Sequence, residues 1–74
     1  MSKLPVISGK DCVKSFNKVG FTFKHQTGSH MVLKNQSSNL MVVIPDHKEL
    51  DRGTLRAIIR QAGLSLDQFV NLLK

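Results

Sequence analysis

The sequence predicts an α+β fold in which two helices cover one face of a three-stranded antiparallel sheet. Two observations predict it: apolar residues recur at helical spacing near both ends of the chain, and three short apolar segments separated by turn residues lie between them. The chain of 74 residues has room for one hydrophobic core, so a single domain is predicted over residues 1–74. The predicted order of elements is α-β-β-β-α with a short additional helix at the C-terminus.

The first helix is predicted over residues 9–19. Ser8 stands where a side-chain oxygen can accept a hydrogen bond from a free backbone N–H of the first turn. Gly20 can adopt the left-handed conformation that often ends a helix. One face of this helix is apolar and is formed by Cys12, Val13, Phe16 and Val19.

Three strands are predicted over residues 21–26, 30–34 and 40–44. The first alternates apolar and polar residues, which is typical of a strand with one buried face. The turn chemistry of residues 27–29 and the polar segment 35–39 predict two hairpins, and hairpins make the sheet antiparallel. The third segment is an unbroken apolar run closed by Pro45, which predicts the most buried of the three strands.

The second helix is predicted between Asp51, which can cap its start, and Gly63, which can end it. Its core-facing stripe has the spacing i, i+3, i+4 and i+7 and consists of Leu55, Ile58, Ile59 and Ala62. Ser65 and Gln68 predict a capping box at the start of the final short helix. The apolar face of that helix consists of Leu66, Phe69, Val70 and Leu73. A three-stranded antiparallel sheet with two helices on one face is the architecture of the double-stranded-RNA-binding domain.

The charge of the chain favours a polyanionic partner. Eleven Lys and Arg residues against five Asp and Glu residues give a net charge of +6. Such an excess suits nucleic acid, an anionic membrane or an acidic protein. Arg52, Arg56 and Arg60 are four residues apart and form one stripe beside the apolar face of the second helix. This stripe is either a phosphate-binding surface or an ordinary solvated helix face.

The composition disfavours several functional classes. The Cys and His residues lack zinc-site spacing, no glycine-rich phosphate loop is present, and the five carboxylates form no obvious general-acid pair. Four Phe residues without Trp or Tyr disfavour a base-stacking platform. We therefore predict no cofactor and no metal. The single Cys12, and the lack of a signal-peptide pattern or a membrane-spanning apolar run, predict a cytoplasmic protein.

Three histidines are candidates for acid–base chemistry: His25, His30 and His47. Imidazole exchanges protons near neutral pH, so it can take a proton from an RNA 2′-hydroxyl or give one to a leaving oxygen. His30 begins a strand directly after Gly28 and Ser29, where a tight turn can come close to a phosphate. His25 lies across that turn and is either a partner of His30 or merely its neighbour. On the residues alone, a structural role for each histidine stays open.

Three stretches of the chain resemble the HicA family of toxin RNases. ISGKD at residues 7–11 resembles the family's opening segment, and GF at 20–21 with QTGSH at 26–30 resembles its strand start and its Gly-Ser-His turn. KEL at 48–50, GTLR at 53–56 and QAGLS at 61–65 resemble its second-helix signature. The resemblance implies a double-stranded-RNA-binding-like fold, metal-independent cleavage of mRNA and neutralisation by a HicB-like antitoxin.

The same resemblance assigns the family's catalytic histidine to His30. Many relatives have a second histidine directly after it, where this chain has Met31. The stretch between Pro45 and Lys48 is also shorter than in many relatives. No catalytic role is therefore assigned to His47.

The predicted function is the toxin of a type II toxin–antitoxin system, an mRNA-cleaving endoribonuclease with a single catalytic histidine, His30. Gly28 and Ser29 are expected to shape the site and contact RNA. The expected phosphate contacts are Lys24, Arg56 and Arg60. The expected partners are mRNA and a HicB-like antitoxin, with no membrane. Two alternatives stay open: a non-catalytic double-stranded-RNA-binding module with the same fold, and a basic subunit whose only partner is an acidic protein.

Overall fold

The helices and strands follow the predicted order. In the computed structural model, which describes residues 4–73, the elements are α1 (Gly9–Asn17), β1 (Phe21–Thr27), β2 (His30–Asn35), β3 (Leu40–Pro45), α2 (Arg52–Gln61) and α3 (Leu66–Leu72). The strands form one antiparallel sheet in the order β1-β2-β3. This confirms the predicted α+β class and its likeness to the double-stranded-RNA-binding-domain fold. The prediction that the N-terminus lacks a signal peptide involves residues 1–3, which lie outside the described residues.

The three helices begin at the predicted capping residues, whose side chains each accept a hydrogen bond from the backbone N–H three residues further on. These caps are Ser8, Asp51 and Ser65. The box at Ser65 is reciprocal, because the Gln68 side chain accepts from the Ser65 N–H at 2.8 Å. At the other end of α3, Lys18 Nζ donates to the Leu72 carbonyl at 2.6 Å and satisfies one free carbonyl. None of the helices within residues 4–73 has the length and apolar character needed to cross a membrane.

Helix α1 ends two residues earlier than predicted. The Lys18 N–H donates to the Ser15 carbonyl at 3.2 Å, a tightened turn that closes the helix. The Val19 carbonyl accepts a hydrogen bond from the side-chain amide of Asn35 at 2.9 Å, so Val19 is bound to the sheet instead of continuing the helix. Gly20, with φ +94°, then turns the chain into β1.

The sheet has one face covered by the helices and one open face. Leu33, Val42 and Ile44 are fully buried beneath α1 and α2. Met41 and Val43, on the opposite face, are 53% and 43% exposed. Because paired residues share a face and faces alternate along a strand, the register assigns the other residues. The open face consists of Thr22, His25, Thr27, His30, Val32, Lys34, Met41, Val43 and Pro45.

The third strand is not the most buried, which corrects the expectation from its apolar sequence. Only Val42 and Ile44 of β3 are buried. The most buried strand is β2, which buries Met31, Val32, Leu33 and Asn35. The reason is position: β3 is an edge strand with one covered face, so every second apolar side chain meets solvent. Strand β2 has a neighbour on each side, which shields even Val32 on the open face.

The two edge strands differ in regularity and charge. Phe23 of β1 pairs with Leu33. His25 pairs with Val32, which directly precedes Leu33 in β2. Two residues of β1 therefore advance the pairing by one residue of β2, and Lys24 is the extra residue of a β-bulge. Strand β3 pairs with β2 without a shift and contains no charged residue. One edge is therefore bulged and basic, and the other is regular and apolar.

Three phenylalanines pack together in the core between the helices and the sheet. The ring centroid of Phe16 in α1 lies 5.3 Å from that of Phe21 and 5.5 Å from that of Phe69, in tilted arrangements. The predicted stripe of α2 is buried as well: Leu55, Ile58, Ile59 and Ala62. Cys12 is buried beside them, and burial raises the pKa of its thiol to about 12. This thiol is therefore a core residue and not a nucleophile.

Candidate active site

A tight turn joins β1 to β2 and positions His30. Thr27 pairs with His30, so Gly28 and Ser29 form a two-residue hairpin loop. Gly28 has φ +60° and Ser29 has no positive φ, which is the pattern of a type II′ turn with glycine at its first central position. Apart from its chain neighbours, no atom lies within 4 Å of the place where a Gly28 Cβ would stand. The backbone conformation requires glycine here, and the turn has open space beside it.

His30 is the first residue of the central strand. Its Cα pairs with Thr27 of β1 on one side and with Pro45 of β3 on the other. Neighbouring strands therefore fix its backbone on both sides, while its side chain is exposed on the open face. An imidazole held on a rigid strand and open to solvent can reach a large substrate such as a polynucleotide.

Three hydrogen bonds connect the turn, the Gln26 side chain and Asp46, which is the residue that follows β3. The Asp46 N–H donates to the Ser29 carbonyl at 2.6 Å. The side-chain amide of Gln26 donates to the Gly28 carbonyl at 3.0 Å and to the Asp46 carboxylate at 3.4 Å. Both turn carbonyls are thereby satisfied, and the loop before His30 is braced.

The start of α1 braces the same end of the sheet, through a contact that the sequence does not reveal. A Cβ atom on Gly9 would overlap the backbone carbonyl of Pro45. The Gly9 N–H donates to the His47 carbonyl at 2.9 Å. The Leu50 N–H donates to the Ile7 carbonyl at 2.9 Å, so the segment after β3 is also held against the residues that precede α1. The one signal in the sequence is a glycine at a helix start, where it lowers helix propensity.

His25 lies on the open face beside His30. It pairs with Val32, two residues from His30 along β2, so the two histidines are diagonal neighbours across β1 and β2. Both side chains are exposed. Lys24 precedes His25 in the bulge, and Lys34 lies further along the same face. None of the three strands contains Asp or Glu, so every ionisable side chain on the sheet is basic.

The predicted arginines lie on the other side of the sheet. Arg56 and Arg60 are exposed on α2. They border a shallow cleft of about 230 Å³ that is also lined by Ile59, Leu64 and Leu66. Because α2 packs on the covered face, the sheet separates these guanidinium groups from His30. Of the predicted site residues, those that lie together on the β1–β2 hairpin are Lys24, Gly28, Ser29 and His30.

His47 lies outside this hairpin, in the segment after β3. It borders a cleft of about 290 Å³ that is also lined by Ser8, Lys10, Asp46 and Lys48. Among the side chains of residues 4–73, no three of His, Cys, Asp or Glu lie close enough together to hold a metal ion. What the open face offers chemically is proton transfer by exposed imidazoles next to the positive charge of lysines.

The sequence matches the family model described as "HicA toxin of bacterial toxin-antitoxin" over residues 9–64. A comparison with curated proteins gives no match. The matched range covers well over half of the 74-residue chain and contains the hairpin turn of residues 28–30 and the whole of α2. The chain therefore belongs to the HicA toxin family of bacterial toxin–antitoxin systems.

Proposed function

We propose that this protein is the toxin of a type II toxin–antitoxin system and acts as a metal-independent endoribonuclease on mRNA, with His30 as a catalytic residue. One observation carries the proposal. His30 is exposed at the start of the central strand, directly after the tight turn of Gly28 and Ser29, on a face with lysines and without carboxylates. Membership of the HicA toxin family supports the same function.

The proposed chemistry needs proton transfer at a phosphodiester bond. The 2′-hydroxyl of RNA attacks the adjacent phosphorus atom, which requires removal of the hydroxyl proton and protonation of the departing oxygen. His30 performs one of these two transfers. A single positioned imidazole typically accelerates such a step by about 10²–10⁴-fold. Because the attacking group is the 2′-hydroxyl, the activity is restricted to RNA.

The proposed RNA contacts follow from where the positive charges lie. Lys24 is next to the open face and binds a phosphate near the cleaved bond. Arg56 and Arg60 lie beyond the sheet, so they bind a more distant segment of a long RNA. Gly28 and Ser29 let the backbone of the turn approach the cleaved strand, because no other atom occupies the space beside Gly28.

The open face also suits a protein inhibitor. Val32, Met41 and Val43 form an apolar area on β2 and β3, of which Met41 and Val43 are about half exposed, and the basic side chains of β1 and β2 lie along one side of it. A HicB-like antitoxin with an acidic surface would bury this apolar area and neutralise the charge in one interface. The net charge of +6 would speed its association. We place both proteins in the cytoplasm, where mRNA is translated.

A non-catalytic double-stranded-RNA-binding module is the second candidate function. The fold and the exposed arginines of α2 favour it, because such modules recognise RNA by shape and by phosphate contacts. The two candidates differ in one measurable respect: the module binds RNA and leaves it intact.

Incubation of the purified protein with a long mRNA in excess EDTA tests the proposal. We expect the wild type to degrade the RNA and His30→Ala, purified in the same way, to leave it intact, which controls for contaminating nuclease. His47→Ala is the matched histidine control and should retain cleavage. Binding of the RNA by the wild type without breakdown would contradict the proposed activity and favour the binding module.

A further inference from the structure

We infer that His25 is a second catalytic residue, which exchanges a proton with the RNA on the opposite side of the reacting phosphate from His30. The inference rests on the proposed ribonuclease function and extends it from one histidine to a pair. Its basis is the local irregularity of β1, which determines the face on which His25 lies.

The β-bulge determines on which face of the sheet the His25 side chain lies. Phe21 and Phe23 both pair with residues of the covered face. Regular alternation would place His25 on that face as well, because it is the next odd-numbered residue. The extra residue Lys24 shifts the pattern by one position, and His25 pairs with Val32 on the open face instead.

The pairing places the two histidines within reach of one phosphate group. His25 lies opposite Val32, and His30 lies two residues before Val32 on the same strand. Diagonal neighbours of this kind lie about 7–8 Å apart with side chains on one face. Two imidazoles at this separation can flank a phosphate, one towards the 2′-oxygen and the other towards the 5′-oxygen.

The core does not explain why His25 is turned to the open face. Its side chain is exposed, whereas Phe21 of the same strand is 2% exposed and fills the core. A bulge disrupts the ladder locally, and bulges are common next to active sites, where they re-aim a side chain. The inserted residue also places a positive charge beside His25. The ionisable side chains around it on the strands are Lys24, His30 and Lys34.

With two histidines, each of the two proton transfers in RNA cleavage has its own residue. The neutral imidazole of one takes the proton of the 2′-hydroxyl as the 2′-oxygen forms its bond to phosphorus. The bond between phosphorus and the 5′-oxygen breaks, and the protonated imidazole of the other gives its proton to that oxygen. The products are a 2′,3′-cyclic phosphate and a 5′-hydroxyl. The two histidines end with exchanged protonation states, which proton exchange with water restores.

Cleavage of two substrates separates proton transfer by His25 from a structural role. One is an ordinary RNA oligonucleotide, and the other has sulfur in place of the bridging 5′-oxygen at one bond, so that the departing thiolate needs no proton. On the ordinary bond, His25→Ala and His30→Ala should each lower the rate constant by about 10²–10⁴-fold. On the sulfur bond, one of the two variants should recover to within about tenfold of wild type, which identifies the general acid. The other variant should stay impaired.

Further variants separate chemistry from folding. His47→Ala removes an exposed histidine outside the open face and should cleave both substrates at the wild-type rate. His25→Gln keeps a polar side chain of similar reach without its acid–base chemistry, and it should be as slow as His25→Ala. Both His25 variants should unfold thermally within a few degrees of wild type, because the side chain is exposed.

Three results would overturn the inference. Wild-type cleavage by His25→Ala together with inactive His30→Ala would remove His25 from the mechanism and leave the proposed function standing. Recovery of neither variant on the sulfur bond would show that the pair does not divide the acid and base roles. A wild-type protein that cleaves neither substrate would overturn the proposed function and the pair together.

Discussion

Gly9, the first residue of α1, packs so closely on Pro45, the last residue of β3, that a Cβ atom on Gly9 would collide with the Pro45 carbonyl oxygen. Pro45 pairs in turn with His30. The start of α1, the end of β3 and the start of β2 therefore form one packed unit. Closely packed interiors transmit strain. A larger side chain at position 9 should therefore displace the backbone of Pro45 and, through it, that of His30.

Replacement of Gly9 by Ala is expected to destabilise the protein by about 1–3 kcal/mol, the usual range for overpacking, and to lower RNA cleavage. The added methyl group has to displace the Pro45 backbone, which cannot rotate away as a side chain can. Urea unfolding measures the first effect, and cleavage under folding conditions measures the second. Gly53→Ala is the matched control. Apart from its chain neighbours and the backbone of its own helix, the nearest atom to its Cβ position is an Asp51 side-chain oxygen at 3.4 Å. Alanine there should keep or raise stability. Equal stability of Gly9→Ala and wild type would contradict the close packing.

His30→Ala is expected to abolish RNA cleavage and toxicity while the fold is retained. The side chain is exposed, so its removal leaves no cavity, and surface changes of this kind usually stay within about 0.5 kcal/mol. Thermal unfolding checks that the fold is retained, incubation with mRNA checks the loss of cleavage, and growth of cells that express the variant checks the loss of toxicity. Degradation of mRNA by the variant at a rate comparable to wild type would show that the catalytic group lies elsewhere.

Replacement of Arg56 and Arg60 together by Gln is expected to weaken RNA binding across sequences and to flatten its salt dependence. Each phosphate contact contributes about 0.7–0.9 to the slope of log affinity against log salt, so the slope should fall by roughly 1.4–1.8. Binding is measured in the His30→Ala background, which keeps the RNA intact. The same double substitution at Lys10 and Lys14 of α1 removes equal charge and should change the slope less. If the arginine variant keeps the wild-type slope, the arginines form only a solvated helix face.

The start of α2 is expected to respond to acid through Asp51. Hydrogen bonds from the Thr54 side chain and backbone N–H hold the pKa of this carboxyl below its ordinary value of 3.8. Its charged form therefore contributes stability above the unfolded-state pKa, and this contribution is lost as pH falls through the lowered pKa. Asp51→Asn keeps a capping oxygen but cannot titrate, so its free energy of unfolding should fall less steeply than that of wild type below pH 3.8. Urea titrations at successive pH values measure both slopes, and identical slopes would rule this effect out.

Co-expression with the product of the neighbouring gene tests the proposed partner. We expect a HicB-like antitoxin that restores growth and protects the open face, including the hairpin of His30, from hydrogen exchange. Because opposite charges speed the encounter, the association rate should fall as salt rises. A neighbour that fails to restore growth, or that protects only α3, would contradict the blocked-site model.

The order of the elements and the position of His30 could be predicted because local signals decide them. The caps at Ser8, Asp51 and Ser65 act on backbone groups within a single helical turn. The two-residue hairpin loop needs glycine at one central position, and Gly28 directly indicates where β1 ends and β2 begins. A signal of this kind is complete within a few residues of sequence.

The remaining features depend on pairing between segments that are distant in sequence. An apolar run does not show whether its strand lies at the centre or the edge of a sheet, so the exposure of Met41 and Val43 was not predicted. The bulge at Lys24 exists only in relation to the partner strand. The packing of Gly9 on Pro45 likewise joins the first helix to the last strand, and only the folded chain reveals it.

We expect strand β3 to make the free protein prone to self-association. It is regular and uncharged, it lies at the sheet edge, and it exposes Leu40, Met41 and Val43. An apolar edge without a bulge or charge is a template on which further chains can stack into aggregates. Self-association would then limit the concentration of the free toxin, in addition to the effect of the proposed antitoxin. An antitoxin that covers this edge would serve its toxin as a chaperone.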